Sequence, residues 1–256
     1  MMAKVSRCWL AMALAATLLG FLANEVCALE IITEEDVEQA IIADVNLVKA
    51  ADNAIILFDS SRSMARPLKG TSKSRVETVK ELLLTRLAWL PDLGYNFGLY
   101  LFAPWKEIYP MQPFDREKLV KAIEDLPTEA GGESYLIQAL ENLEPILEGL
   151  SGRTVVFLFS DGQYVRYRHF KRPYMKAREL AQKHNVCFYI LSTAETKQHE
   201  DTLQEIADVN ECSRVIPFAH YMMRPAYNSG ALFLVEAGSR NSNGCGRSAS
   251  NRNTAT

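Results

Sequence analysis

Asp59, Ser61 and Ser63 stand in the run Asp59-Ser-Ser-Arg-Ser63, directly after the apolar segment Ala54-Ile-Ile-Leu-Phe58. That spacing sets one carboxylate and two hydroxyls on a tight turn at the carboxyl end of a buried strand. Such a cluster of hard oxygens suits a divalent cation, Mg²⁺ first, with Mn²⁺ or Ca²⁺ as alternatives, because hard cations take oxygen ligands and Mg²⁺ keeps several waters. A second carboxylate sits in the same context, where Val155-Val-Phe-Leu-Phe159 runs into Ser160-Asp161-Gly162. Singly, each motif is ordinary turn and capping chemistry, since Asp and Ser commonly end strands. Two acidic strand ends of one kind point to one site.

The elements that must position these residues alternate. Residues 75–90 carry Val76, Val79, Leu82, Leu83, Leu87 and Leu90 at helical spacing. A strand over 95–102 and a short edge strand over 107–111 follow, then helices over 115–126, with Asp115 as cap, and 134–150. A buried strand over 153–159 leads to a helix over 174–184, a strand over 186–191, a helix over 201–209 and a short strand over 213–217. Ahead of them, Thr33-Glu-Glu-Asp36 reads as a capping box that opens a helix from about Glu34 to Ala51. The alternation predicts an α/β fold with a doubly wound, mainly parallel sheet flanked by helices and an antiparallel edge. In such sheets ligands bind outside the carboxyl ends of the strands, where strand order reverses. Asp59 and Asp161 converge there if their two strands are central neighbours.

Asp59-x-Ser61-x-Ser63 together with Ser160-Asp161-Gly162 resembles the von Willebrand factor type A domain, over roughly Ala54 to Phe218. The resemblance implies a Rossmann-like fold and a metal-ion-dependent adhesion site, with a distant Thr as the middle ligand. That slot departs from the family's Gly-Gly-Thr: the run here is Gly131-Gly-Glu-Ser-Tyr-Leu-Ile-Gln-Ala139. Counting back from Ala139 puts Ser134 in the slot, with Glu133 inserted and Thr128 as the fallback. The implied ligand set is therefore Asp59, Ser61, Ser63, Ser134 and Asp161. Ser61 and Ser63 bind directly, Asp59 and Asp161 largely through waters. An open coordination position then accepts a carboxylate from an acidic protein partner. Arg62 stands where many members carry Gly, which requires the turn to keep φ negative. It also motivates a second reading, in which the Arg62 guanidinium takes the cation's place in a metal-free structural module.

The stretch Tyr164-Val-Arg-Tyr-Arg-His-Phe-Lys-Arg-Pro-Tyr174 interleaves Arg166, Arg168, Lys171 and Arg172 with aromatics. Starting at the metal face, it would frame the site with positive charge and stacking surface for an acidic peptide or a cell-wall fragment. The bland alternative is a solvated loop covering a helix end. Catalysis finds little support. A phosphatase-like aspartyl nucleophile at Asp59 lacks the second Asp two residues on, where Ser61 stands, and neither a Gly-x-Ser-x-Gly elbow nor a phosphate-binding Gly-Lys loop occurs.

Residues 1–28 read as a signal peptide: Lys4 and Arg7 precede the apolar Trp9 to Ala23, and Val26-Cys-Ala28 leads to a cut before Leu29. The apolar run is too short for a stable membrane span. The implied address is a bacterial cell envelope, in the periplasm. Of the 256 residues, 28 are basic and 31 acidic, a formal charge of −3. Cleavage removes Lys4, Arg7 and Glu25 and leaves −4, so modest a charge that nucleic acid is not an expected partner. Cys187 and Cys212 admit two states in an oxidising compartment, a disulfide or two buried thiols. The expected organisation is leader 1–28, helix 29–53, A-type domain 54–218, extension 219–237 and a polar, disordered tail 238–256. Envelope proteins with such a domain often continue into a peptidoglycan-binding part like that of outer membrane protein A, which is not expected here. Ala231-Leu-Phe-Leu-Val235 reads as either the remnant of a link to one or a last strand.

Overall fold

The computed structural model describes residues 47–165, 171–218 and 231–235. Its centre is a six-stranded sheet. In chain order the strands are β2 (Asn53–Asp59), β3 (Asn96–Phe102), β4 (Lys106–Pro113), β5 (Thr154–Ser160), β6 (Val186–Ser192) and β7 (Arg214–Pro217). In space they run β4-β3-β2-β5-β6-β7, all parallel except the antiparallel β3–β4 edge. Five α-helices flank the sheet among the described residues: α1 (Arg75–Trp89), α2 (Arg116–Glu124), α3 (Leu136–Glu148), α4 (Pro173–Lys183) and α5 (Lys197–Ala207). The doubly wound, mainly parallel architecture expected from the alternation is the one observed.

Every residue of β2 and β5 is buried, which is why both read as continuous apolar runs rather than alternating ones. Alternate side chains nonetheless serve opposite faces. Ile56 and Phe58 pack with Val76, Val79 and Leu83 of α1 and Leu119 and Ile123 of α2. Ile55 and Leu57 pack with Leu136 and Leu140 of α3, Leu180 of α4, and Leu203 and Ile206 of α5. Each such fully buried side chain contributes roughly 1.5–3 kcal/mol. Two helices on one face and three on the other hold the central strands from both sides.

The chain leaves β2 toward β3 in one direction and reaches β5, β6 and β7 in the other. Strand order therefore reverses between β2 and β5, which pair in register from Asn53↔Thr154 to Phe58↔Phe159. The carboxyl ends of these two strands define the crevice in which such folds bind ligands. Asp59 ends β2, and Asp161 follows β5.

One expectation is corrected. The helix predicted from Glu34 to Ala51 does not extend to its end: Leu47–Lys49 is a strand, β1, paired antiparallel with β8 (Phe233–Val235). Tertiary pairing overrides helical periodicity here, because alternation buries Phe233 while Val48 and Leu234 face solvent. Ala50 and Ala51 also donate to the Leu232 carbonyl, closing this segment onto the body. Helix starts shift as well: α5 begins at Lys197 rather than Asp201 because the Thr196 side chain caps it through His199 N. Cys187 and Cys212 are disulfide-bonded, with Cα atoms 5.4 Å apart, tying β6 to the turn before β7. The leader, residues 34–46 of the expected helix, most of the 219–237 extension and the tail lie outside the described residues.

Candidate metal centre

The turn after β2 is set by its own backbone. Asp59 Oδ1 accepts from Ser61 N at 2.9 Å, and Ser60 N and Oγ both donate to the Phe102 carbonyl at the end of β3. Arg62–Ala65 then makes one turn of 3-10 helix. Arg62 keeps negative φ, since Ala103 is the one non-glycine with positive φ among the described residues. The Cβ at position 62 is thereby accommodated without strain. The Gly131–Gly132 loop is stitched to this turn: Gly131 N donates to Ser60 O at 2.9 Å, and Arg62 N donates to Gly132 O at 3.1 Å. Gly132 has φ +83°, and a Cβ there would sit 3.1 Å from the Ala103 carbonyl oxygen.

These contacts bring the predicted side chains together. Asp59 is fully buried, and Ser61, Ser63, Ser134 and Asp161 are buried beside it. Ser61 Oγ lies 3.1 Å from Ser63 Oγ. Ser134, at the foot of α3, directs its hydroxyl to Asp59 Oδ2 at 3.4 Å. Thr128, the fallback, is exposed. Ser61, Ser63 and Ser134 line an open cleft of about 230 Å³ whose rim includes Arg62, Glu133, Gln163 and Tyr164. A larger pocket of about 350 Å³, walled by Pro104, Trp105 and Tyr135, adjoins it across Gly132 and Glu133.

Two residues outside the expected set shape the site. Ser160, the last residue of β5, donates from Oγ to Asp59 Oδ2 at 2.8 Å and accepts from Gly162 N at 3.1 Å. Gly162 itself has φ +74° and lies against the His199 backbone, where a Cβ would come within 2.5 Å of the carbonyl oxygen. The second residue is Arg75, at the start of α1, with only 2% of its side chain exposed. Arg75 Nη1 donates to Asp161 Oδ2 at 2.8 Å, and Nη2 pairs with Glu195 Oε1 at 2.9 Å. Its Nε is buried without a hydrogen-bond partner. The buried guanidinium at this centre is thus Arg75, whereas Arg62 is exposed at the rim, which corrects the idea that Arg62 takes the cation's place. One signal was available: a cation at a helix's first position opposes the helix dipole and asks for a reason.

The electrostatics of the two carboxylates differ. Asp161 has Arg75 as counter-charge, and its Oδ1 accepts from Gln163 N at 3.0 Å. Asp59 is held by neutral donors, Ser61, Ser134 and Ser160. Burial pushes its carboxyl up to about 7; the Ser61 and Ser160 hydrogen bonds oppose the rise, and the charge of Asp161 adds to it. A carboxylate buried at this depth favours a cation at its side.

Of the expected partner-binding residues, Arg62 and Tyr164 stand on the cleft rim. Lys171 is exposed, and Arg172 pairs with Glu205 of α5 at 3.2 Å instead of lining the cleft. Arg166 and Arg168 lie outside the described residues.

Comparison with known proteins agrees with this geometry at the level of fold. A family model for the von Willebrand factor type A domain matches residues 53–222. No curated protein matches the chain. Among solved structures, proximal thread matrix protein 1 from the mussel byssus, in a form with a zinc-occupied MIDAS motif, superposes with a TM-score of 0.53 at 19% identity, covering 68% of this chain and 46% of that one. The PilB minor pilin from Streptococcus sanguinis gives 0.54 at 11% identity, covering 70% and 60%. Manganese-loaded TRAP from Plasmodium vivax gives 0.50 at 17%, covering 70% and 75%. This chain thus spans about half of the mussel protein and 60% of the pilin.

Proposed function

The chain belongs to the von Willebrand factor type A domain family, and from that premise we propose a binding module that recognises an acidic protein partner through a divalent cation. The observation that carries this reading is a convergence of side chains. Two carboxylates and three hydroxyls from three loops meet at the switch point of the sheet, and the hydroxyls face an open cleft. The donor set fits a hard divalent cation, which takes oxygen ligands from carboxylates and hydroxyls. Asp59, Ser61, Ser63, Ser134 and Asp161 would hold it. Mg²⁺ is the cation expected, with Mn²⁺ or Ca²⁺ as alternatives; related folds are described with manganese and with a zinc-occupied motif. A bound divalent cation supplies an open position for an anionic oxygen of the partner.

The protein's own residues do the rest. Asp59 balances the charge from below while Ser160 and Ser61 N fix its two oxygens. Arg62 at the rim offers a cation, and Tyr164 a phenolic O–H donor, to an arriving carboxylate. Arg166, Arg168 and Lys171 are proposed to add basic charge to the partner contact, whereas Arg172 is engaged with Glu205. A cell-wall component with carboxylates presents the same chemistry, and the leader-like residues 1–28 fit a periplasmic or cell-envelope setting. Among the described residues no helix is long and apolar enough to cross a membrane. We read the module as non-catalytic: Asp59 is fully buried, so it is poorly placed as a nucleophile toward a phosphoester.

One observation favours a second reading, a structural module without metal. Arg75 already occupies Asp161 Oδ2 and neutralises that carboxylate. Calorimetric titration of the purified protein with Mg²⁺ and Mn²⁺, with Asp161→Ala as control, separates the two. Saturable binding that the variant loses supports the adhesion reading. No heat up to millimolar cation, in protein that is folded, overturns it in favour of the structural one.

A further inference from the structure

Arg75 does more at this centre than fill space. A buried arginine with one partner inside the protein and one at its edge is costly to desolvate, and its unpartnered Nε adds to that cost. Replacing such a buried ion pair as a whole with well-packed apolar residues is often neutral for stability, whereas removing one partner alone is destabilising. A stability role therefore explains it poorly. Its position suggests another one, which rests on the metal-binding reading above.

Consider the charge that an arriving carboxylate meets. A divalent cation beside Asp59 and Asp161 alone makes a neutral centre, and a neutral centre attracts an anion weakly. Arg75 pairs with Asp161 at 2.8 Å and cancels that carboxylate independently of any metal. The buried sum with cation bound is then one net positive charge, in a setting where charges are screened less than at the surface. Glu195, the other partner of Arg75, is 47% exposed, so solvent screens its opposing charge. We infer that Arg75 is a specificity-determining residue that keeps the metal centre cationic. Through it the site gives up metal affinity and gains affinity for the partner's carboxylate.

Opposite signs follow, and a merely structural arginine does not produce them. In Arg75→Gln, Mn²⁺ should bind about tenfold or more tighter, because a like charge has been removed. Acetate, as the carboxylate probe, should bind the Mn²⁺-loaded variant about tenfold or more weaker. Its binding is read from the loss of water-proton relaxation enhancement as it displaces manganese-bound water. In EDTA the variant should melt lower than the parent, because Asp161 loses its counter-charge, and saturating Mn²⁺ should restore most of the difference. Arg75→Lys keeps the charge but not the two-pronged contact to Asp161 and Glu195, and should keep both affinities closer to the parent than Arg75→Gln does.

Glu195→Gln changes a half-exposed side chain and guards against a misfolded Arg75→Gln. It should weaken Mn²⁺ and strengthen acetate, each by about twofold. Mn²⁺ and acetate affinities that fall together in Arg75→Gln, or that stay unchanged in both Arg75→Gln and Glu195→Gln, overturn the inference. A parent protein that binds no Mn²⁺ removes the underlying metal reading as well, so that failure is distinguishable from the others.

Discussion

Strands β2 and β5 carry buried polar side chains at both ends, and the two ends are built differently. At the amino ends, Asn53 donates to the Ser151 carbonyl at 2.8 Å and to Thr154 Oγ1 at 3.2 Å, and accepts from Asn96 Nδ2 at 3.0 Å. Asp52 next to it accepts from Arg153 N, which holds its carboxyl below the usual range, with Lys49 at 3.0 Å helping. Neutral amides are matched donor to acceptor, and the one carboxylate is half in solvent. At the carboxyl ends, Asp59 is fully buried, held by neutral donors alone and pushed up to about 7. A satisfied neutral network joins strands, whereas a buried carboxylate without a cation of its own is maintained at a cost that function explains. Charge compensation, more than burial or hydrogen bonding, separates the two ends.

The comparison breaks first at Asp59. Asp59→Asn should lower Mn²⁺ affinity on the order of a hundredfold. In EDTA it should melt no lower than the parent, because the buried charge is gone. A large loss of metal-free stability would show that the carboxylate is structural after all. At the other end, Asn53→Ala strands Asn96 and Thr154 and should cost about 2 kcal/mol in chemical denaturation, with Mn²⁺ affinity unchanged.

Ser134→Ala comes next. It removes one hydroxyl from the cleft and should weaken Mn²⁺ about tenfold, with a melting temperature within a degree or two of the parent. An unchanged affinity would return the middle slot to another residue. The smallest effect is expected away from both ends, at Glu144 of α3, which pairs with Lys176 and Lys183. Hydrogen bonds from Lys176 and then Lys183 hold its carboxyl low, at about 2. Because the folded value lies below the unfolded one, the contribution is complete above about pH 4.5 and is lost as pH falls toward 2. Glu144→Gln should therefore be slightly less stable than the parent at pH 7, and the gap should narrow across that window. A gap that persists to low pH would assign the effect to packing.

Much of this protein was legible in its residues because local chemistry wrote it there. The all-buried runs Ala54–Phe58 and Val155–Phe159 announce central parallel strands, and Asp59-x-Ser61-x-Ser63 with Asp161 announces a turn rich in oxygen ligands. Asp115 marks a helix start through a cap that depends on a neighbour three residues away. The segment at 47–49 misled because helical and alternating spacing are both satisfied over so few residues, and only pairing with 233–235 chooses between them.

What the sequence determined by itself was the set of strands in the central sheet and the types of atom at their carboxyl ends. What the tertiary structure decided was which distant groups meet. Ser134 rather than Thr128 reaches Asp59 because the Gly131–Gly132 loop is bonded to Ser60 and Arg62. Arg75 rather than Arg62 is the buried cation because Arg75, at the start of α1, reaches Asp161 just after β5, and a helix position by itself does not say which distant carboxylate it meets. Hydrogen-bond reach along the chain is local and periodic, so sequence reports it. The charge at the centre is a sum over distant segments, Arg75 and Asp161 being 86 residues apart, and only the fold performs that sum.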